Sequence, residues 1–136
     1  MIDKEIVKIA SNTENHGVLN NHTHSSKLKN AICGDVMKVY LIVENEIIMN
    51  FKYECESCIY CQASVSLLSR KAKNKPVQKI KFFAEQAKNC FEKNINSFDK
   101  EWKEFDKIMK KNNISRKECL LLPIKTTIDA LSKKSL

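Results

Sequence analysis

The chain has 136 residues, with 24 Lys and Arg against 16 Asp and Glu, a net charge of +8 and a hydrophobic fraction of 43%. That apolar content suits one domain with a modest core and is too high for a disordered chain. Only two glycines are present, and no GxGxxG or GxxxxGKS/T run, which excludes the usual nucleotide-binding loops. No stretch of about 18 apolar residues offers a membrane span.

In chain order, residues 2–10 repeat apolar side chains at helical spacing (Ile2, Ile6, Ile9, Ala10) and predict a short helix. Residues 11–30 are polar and predict a loop, with a brief strand near Val18 and Leu19. Val36–Val43 is rich in strand-forming residues, and Glu44-Asn45-Glu46 predicts a hairpin turn. Ile47–Tyr53 then alternates, with Ile47, Met49, Phe51 and Tyr53 on one predicted face. From Ala63 the pattern turns helical. One helix is expected over Ala63–Lys73 and another from Pro76 to about Phe91. Phe98, Trp102, Phe105 and Met109 mark a third, ended by Asn112 and Asn113. Ser115-Arg116-Lys117-Glu118 matches a capping box that opens a last helix, which Pro123 kinks or restarts. Strands first and helices after predict an α+β class, and the absence of linkers and repeats predicts one domain over residues 1–136.

The positive charge is carried almost wholly by lysine, since Arg70 and Arg116 are the only arginines. Aromatics do not interleave with basic residues, so a solvated lysine surface is expected and no nucleic-acid partner. The N-terminus lacks a signal-peptide core, which predicts a cytoplasmic protein. Six cysteines in a reducing compartment are then free thiols or metal ligands.

Of these, Cys33 precedes the first long strand and is followed by Gly34 and Asp35. Gly34 permits a turn that lets thiolate and carboxylate face one point. Cys58 falls in the loop before a helix, and Cys119 lies near the start of the last one. Helix starts favour thiolates, and Arg116 adds a nearby cation for Cys119. Three thiolates and one carboxylate at element ends form a candidate S3O site for zinc or iron, with Cys55 as a possible alternate ligand. Cys61 and Cys90 are expected to pack as small hydrophobes. His16, His22 and His24 lie in the polar loop and are expected to be solvated.

Several motifs in order resemble the NifU/IscU family of iron–sulfur cluster assembly proteins, and its SufU branch most closely. His16-Gly17-Val18-Leu19 is similar to the family's N-terminal turn, and Cys33-Gly34-Asp35-Val36-Met37-Lys38 to its C-G-D signature. Cys58 followed by Ala63-Ser64-Val65-Ser66 resembles its C-x4-A-S-x-S run, and Lys75-Pro76-Val77 its G-K-P-V segment. Arg116 to Pro123 resembles the R-x-x-C-A-L-L-P ending of SufU proteins. The long stretch around Trp102 and the absence of an L-P-P-V-K motif before the last cysteine also favour SufU. Ser57 departs from the pattern, standing where the family has glycine.

The resemblance implies an α+β fold with a small antiparallel sheet of about three strands, covered on one face by several helices. It implies a scaffold or sulfur-transfer accessory rather than a stand-alone enzyme. Cys33, Asp35, Cys58 and Cys119 would hold zinc, iron or a [2Fe–2S] cluster, supported by Gly34 and Arg116. Cys33 and Cys119 are the candidate sulfur acceptors. The implied partners are a cysteine desulfurase and recipient apoproteins, with no membrane. The alternatives are zinc-dependent sulfur transfer of the SufU type and a zinc-stabilised interaction module without sulfur chemistry.

Overall fold

The computed structural model describes residues 3–92 and 98–133. Three antiparallel strands form one sheet in the order β1-β2-β3: β1 His24–Lys29, β2 Val36–Glu44 and β3 Ile47–Glu56. Helix α1 spans Lys4–Ala10, α2 Ile59–Ala72, α3 Val77–Glu92 and α4 Lys117–Leu131. Two 3-10 helices, Lys100–Lys107 and Lys111–Arg116, join α3 to α4. The α+β class and the three-stranded sheet agree with the expectation.

The hairpin between β2 and β3 turns at Asn45 and Glu46, with φ of +53° and +63°. Left-handed backbone at both positions gives the twist that a two-residue hairpin needs. The predicted alternation along β3 breaks halfway. A register shift between Ile42 and Val43 pairs them with Asn50 and Ile48, leaving Met49 without a partner on β2. This bulge buries Ile48 fully and leaves Met49 46% exposed, reversing the faces expected at the start of the strand. Beyond the bulge Phe51 and Tyr53 point into the core as expected.

Other expectations change in detail. No strand forms at Val18 and Leu19. The third strand is β1, whose sequence HSSKLK is mostly polar. It lies at the sheet edge, where Ser26 is buried and donates to the Asp129 carboxylate of α4. The first helix begins at Lys4, capped by the Asp3 carboxylate, which accepts from Glu5 N–H at 2.8 Å; Ile2 lies outside the described residues. The segment around Trp102 is a 3-10 helix instead of an α-helix. Its Trp102 and Phe105 still reach the core, and Phe83 stacks on Trp102 with ring centroids 4.2 Å apart. The Ser115 capping box does not form, because α4 follows the second 3-10 helix directly and its first turn has no side-chain cap.

Helix α2 is the centre of the fold, buried on nearly every side. Its small polar residues bond to the segments packed on it. Ser64 Oγ donates to Leu120 O at 2.6 Å, and Ser66 Oγ to Asn12 O at 2.6 Å. Asn15 Nδ2 donates to Ser69 Oγ at 3.1 Å. A buried hydroxyl must find an acceptor, so these bonds fix how α4 and the N-terminal segment lie against α2. Within α4, Pro123 lacks the N–H that would bond to Cys119 O, yet the helix continues through it. No helix among the described residues is long and apolar enough to cross a membrane.

Candidate metal centre

One end of the sheet, the start of α2 and the start of α4 converge. Cys33, Gly34 and Asp35 form the turn between β1 and β2. Gly34 has φ +77°, a conformation that strains any L side chain. Asn30 closes this turn. Its N–H donates to Asp35 O at 2.7 Å and its carbonyl accepts from Gly34 N–H at 2.7 Å. Its side-chain oxygen accepts from Ile32 N–H at 3.0 Å. Asn30 belongs to none of the motifs read from the sequence, although asparagine is a residue that favours such Asx turns.

Cys58 is the N-cap residue of α2. Its N–H donates to Asp35 Oδ1 at 3.2 Å. The other carboxylate oxygen, Asp35 Oδ2, is buried without a hydrogen-bond partner. Cys119, in the first turn of α4, places its sulfur 3.6 Å from that of Cys33. Ligand atoms of Cys33, Asp35 and Cys119 all lie within 4.8 Å of one another. Cys58 is tied to this group through its backbone N–H on Asp35 and lies close enough to Cys119 to raise that thiol.

These donors fit a metal. A tetrahedral thiolate site with bonds of about 2.3 Å has sulfurs about 3.8 Å apart, close to the separation found here. An uncompensated buried carboxylate oxygen is costly, and a cation between it and the thiols removes that cost.

Cys33 is exposed, Cys58 half-buried and Cys119 buried. Cys119 corrects the expectation drawn from its helix start and from Arg116. Burial, and then hydrogen bonds and like charge from Cys58 and Cys33, push its thiol well above the usual range. The Arg116 guanidinium lies over the Tyr60 ring, 5.2 Å from its centroid. Burial thus disfavours the Cys119 thiolate, and a cation bound there would favour it.

The remaining cysteines stand behind or away from the site. Cys55 is opposite Met37 on β2, half-buried, and burial raises its thiol, partly offset by the Ser57 hydroxyl. Cys61 is fully buried in α2, and burial raises its thiol strongly. Cys90 is buried in α3 and its thiol donates to Ala87 O at 3.1 Å. His16 packs edge-on to Tyr53 at 5.6 Å, and His22 and His24 bond to Leu19 O and Thr23 Oγ1. None of these histidines belongs to the thiol group around Asp35.

A three-stranded sheet backed by helices, with Cys33, Asp35 and Cys119 gathered at one end, defines a class of small α+β domains with a thiol and carboxylate cluster at the sheet's end. Residues 1–95 match the family of the NifU-like N terminal domain, and the chain belongs to that family. It is 30% identical to the iron-sulfur cluster assembly scaffold protein IscU of Thermotoga maritima, over 99% of this chain and 95% of that one. An uncharacterized protein of Borreliella burgdorferi is 28% identical over 96% of this chain and 82% of its own. Among solved structures, a putative iron-sulfur cluster assembly scaffold protein for the SUF system from Fervidobacterium islandicum superposes with a TM-score of 0.84 at 26% identity, covering 96% of both chains. The N-terminal part of a NifU-like protein from Brucella abortus shares the fold, with a TM-score of 0.88 at 19% identity over 96% of this chain and 91% of that one.

Proposed function

We propose that this protein is an iron–sulfur cluster assembly scaffold. It accepts sulfur from a cysteine desulfurase, holds iron and sulfide as cargo at Cys33, Asp35, Cys58 and Cys119, and passes the cluster to recipient apoproteins. The observation that carries this reading is the buried Asp35 carboxylate, clustered with the Cys33 and Cys119 thiols and with its Oδ2 unpartnered. Six free thiols suit a reducing cytoplasm as the working compartment.

Of the two candidate acceptors, Cys33 and Cys119, exposure favours Cys33, because Cys119 is buried. Its thiolate attacks the outer sulfur of the donor's persulfide. A new S–S bond joins that sulfur to Cys33, the donor's own S–S bond breaks, and the electron pair leaves with the donor cysteine as a thiolate. No external oxidant or reductant enters the step. Asp35 supplies a hard oxygen ligand, which holds a cluster iron more weakly than a fourth thiolate and so favours release.

A second reading is zinc-dependent sulfur transfer. It is supported by the clustered donors Cys33, Asp35 and Cys119, with Cys58 beside them, and by the 3-10 helices Lys100–Lys107 and Lys111–Arg116, which lengthen the stretch before Cys119. Zinc at these donors would keep the thiolates deprotonated, and docking would free Cys33 to take sulfur. Metal analysis of protein purified without added metal, followed by anaerobic reconstitution, separates the two. Iron and sulfide bound in equal amounts support the scaffold. A zinc site that resists iron and sulfide loading overturns it in favour of transfer. If Cys33→Ser leaves desulfurase turnover unchanged, both sulfur readings fail and a zinc-stabilised interaction module remains.

A further inference from the structure

Ile32 is 86% exposed, the most exposed of the large apolar side chains among the described residues. It immediately precedes the exposed Cys33. An isoleucine in water contributes nothing to the core, and this one is not on a loose tip. Its own N–H is bonded to Asn30 Oδ1, and the turn around it is closed by the two Asn30 backbone bonds. The side chain is thus presented outward by a pre-ordered loop, so little conformational freedom remains to be lost on docking.

The charge around it is net positive. Lys29, at the end of β1, and Arg116 and Lys117, at the start of α4, are exposed. Against them stand Glu56, at the end of β3, and Glu118, which Lys125 Nζ neutralises at 3.1 Å. A fixed apolar tip inside a net-positive rim, beside the nucleophile, matches a partner that carries an apolar pocket within an acidic rim next to its reacting sulfur.

We propose that Ile32 is a docking anchor for the sulfur donor, seating in an apolar pocket beside the donor's persulfide-bearing cysteine while Lys29, Arg116 and Lys117 meet acidic groups around it. This rests on the sulfur-acceptance reading above. Seating Ile32 brings Cys33 to the persulfide without any movement of the buried Asp35 and Cys119. The anchor therefore governs encounter, and Cys33 governs the chemistry.

The test measures sulfide release from L-cysteine by a purified cysteine desulfurase in dithiothreitol, as a function of the concentration of this protein. Full burial of an isoleucine side chain is worth about tenfold or more in affinity. Ile32→Asp is expected to raise the half-saturating concentration at least tenfold, with the maximal rate within about twofold of wild type. Ile32→Val is expected to restore wild-type behaviour. The side chain is exposed, so thermal midpoints are expected to be unchanged. Cys33→Ser is expected to abolish the rate increase. If Ile32→Asp leaves half-saturation unchanged while Cys33→Ser abolishes the effect, the anchor is overturned and sulfur acceptance stands. If the wild-type protein neither takes up sulfur nor changes the rate, sulfur acceptance and the anchor fall together.

Discussion

Asp35 and Cys58 are tied by a hydrogen bond from the Cys58 N–H to Asp35 Oδ1 at 3.2 Å, which leaves Asp35 Oδ2 buried and unpartnered. One oxygen holds the start of α2, and the other is the donor that the proposed metal would take. The two roles separate by substitution. Asp35→Asn retains an oxygen acceptor for Cys58 but removes the anionic donor. Stability of the metal-free chain is expected to change by less than about 1 kcal/mol. Affinity for zinc, measured by competition with a chromophoric chelator, is expected to fall at least about tenfold. Equal affinity in the two proteins would remove Asp35 from the ligand set.

The β2–β3 turn offers a stabilising change. Glu46 holds φ +63°, which costs a residue with a Cβ about 1 kcal/mol, and its N–H and C=O are unaffected by the side chain. Glu46→Gly is expected to raise unfolding free energy in urea by about 0.5 kcal/mol, the relief being partly offset by the greater freedom of glycine in the unfolded chain. A loss of stability would mean that the Glu46 side chain has a role in the turn.

Alkaline stability is expected to depend on Cys90. Burial pushes this thiol up to about 11 from 9.0. The unfolded chain therefore gives up its proton first. The contribution is fully present below about pH 9 and is lost as pH rises towards about 11, by roughly 1 kcal/mol per pH unit at most. Cys90→Ala removes the titrating group. Urea midpoints measured between these pH values are expected to fall less steeply for the variant than for wild type. Parallel slopes would count against the shift.

Trp102 tests the independence of core and site. It is 1% exposed, stacked on Phe83, with Lys75 Nζ 4.9 Å from its ring centroid. Trp102→Ala is expected to cost about 3–5 kcal/mol. Below the lowered melting point, zinc binding is expected to be retained, since none of the donor residues packs its thiol or carboxylate through this aromatic cluster. Loss of binding in the folded variant would show that the two are coupled.

The fold class was legible in the sequence, and so was the turn that brings Cys33 and Asp35 together. Gly34 between Cys33 and Asp35 has one structural purpose, and the structure uses it at φ +77°. Cys58 could be placed because the chain changes period there from two to helical. What failed was set by tertiary contacts. Edge strand β1 looks like a loop because its hydroxyls take the place of apolar residues, with Ser26 bonded to Asp129 across 103 positions of sequence. The bulge at Met49 leaves no mark in a pattern that alternates regardless. Trp102 and Phe105 are three apart, a spacing that serves a 3-10 and an α-helix alike. The Cys119 thiol was misjudged because a helix start is visible in sequence and burial beside two other sulfurs is not.

The four proposed donors come from three distant stretches of chain, and the Cys33–Cys119 pair alone spans 86 positions. Contacts so far apart in sequence close late in folding, after the sheet, α2 and α4 have docked. A partly folded chain, or one still being synthesised, has its thiols but not their constellation. Under the scaffold reading proposed above, loading of cargo requires a finished fold, so the centre would serve as a checkpoint that only completed molecules pass.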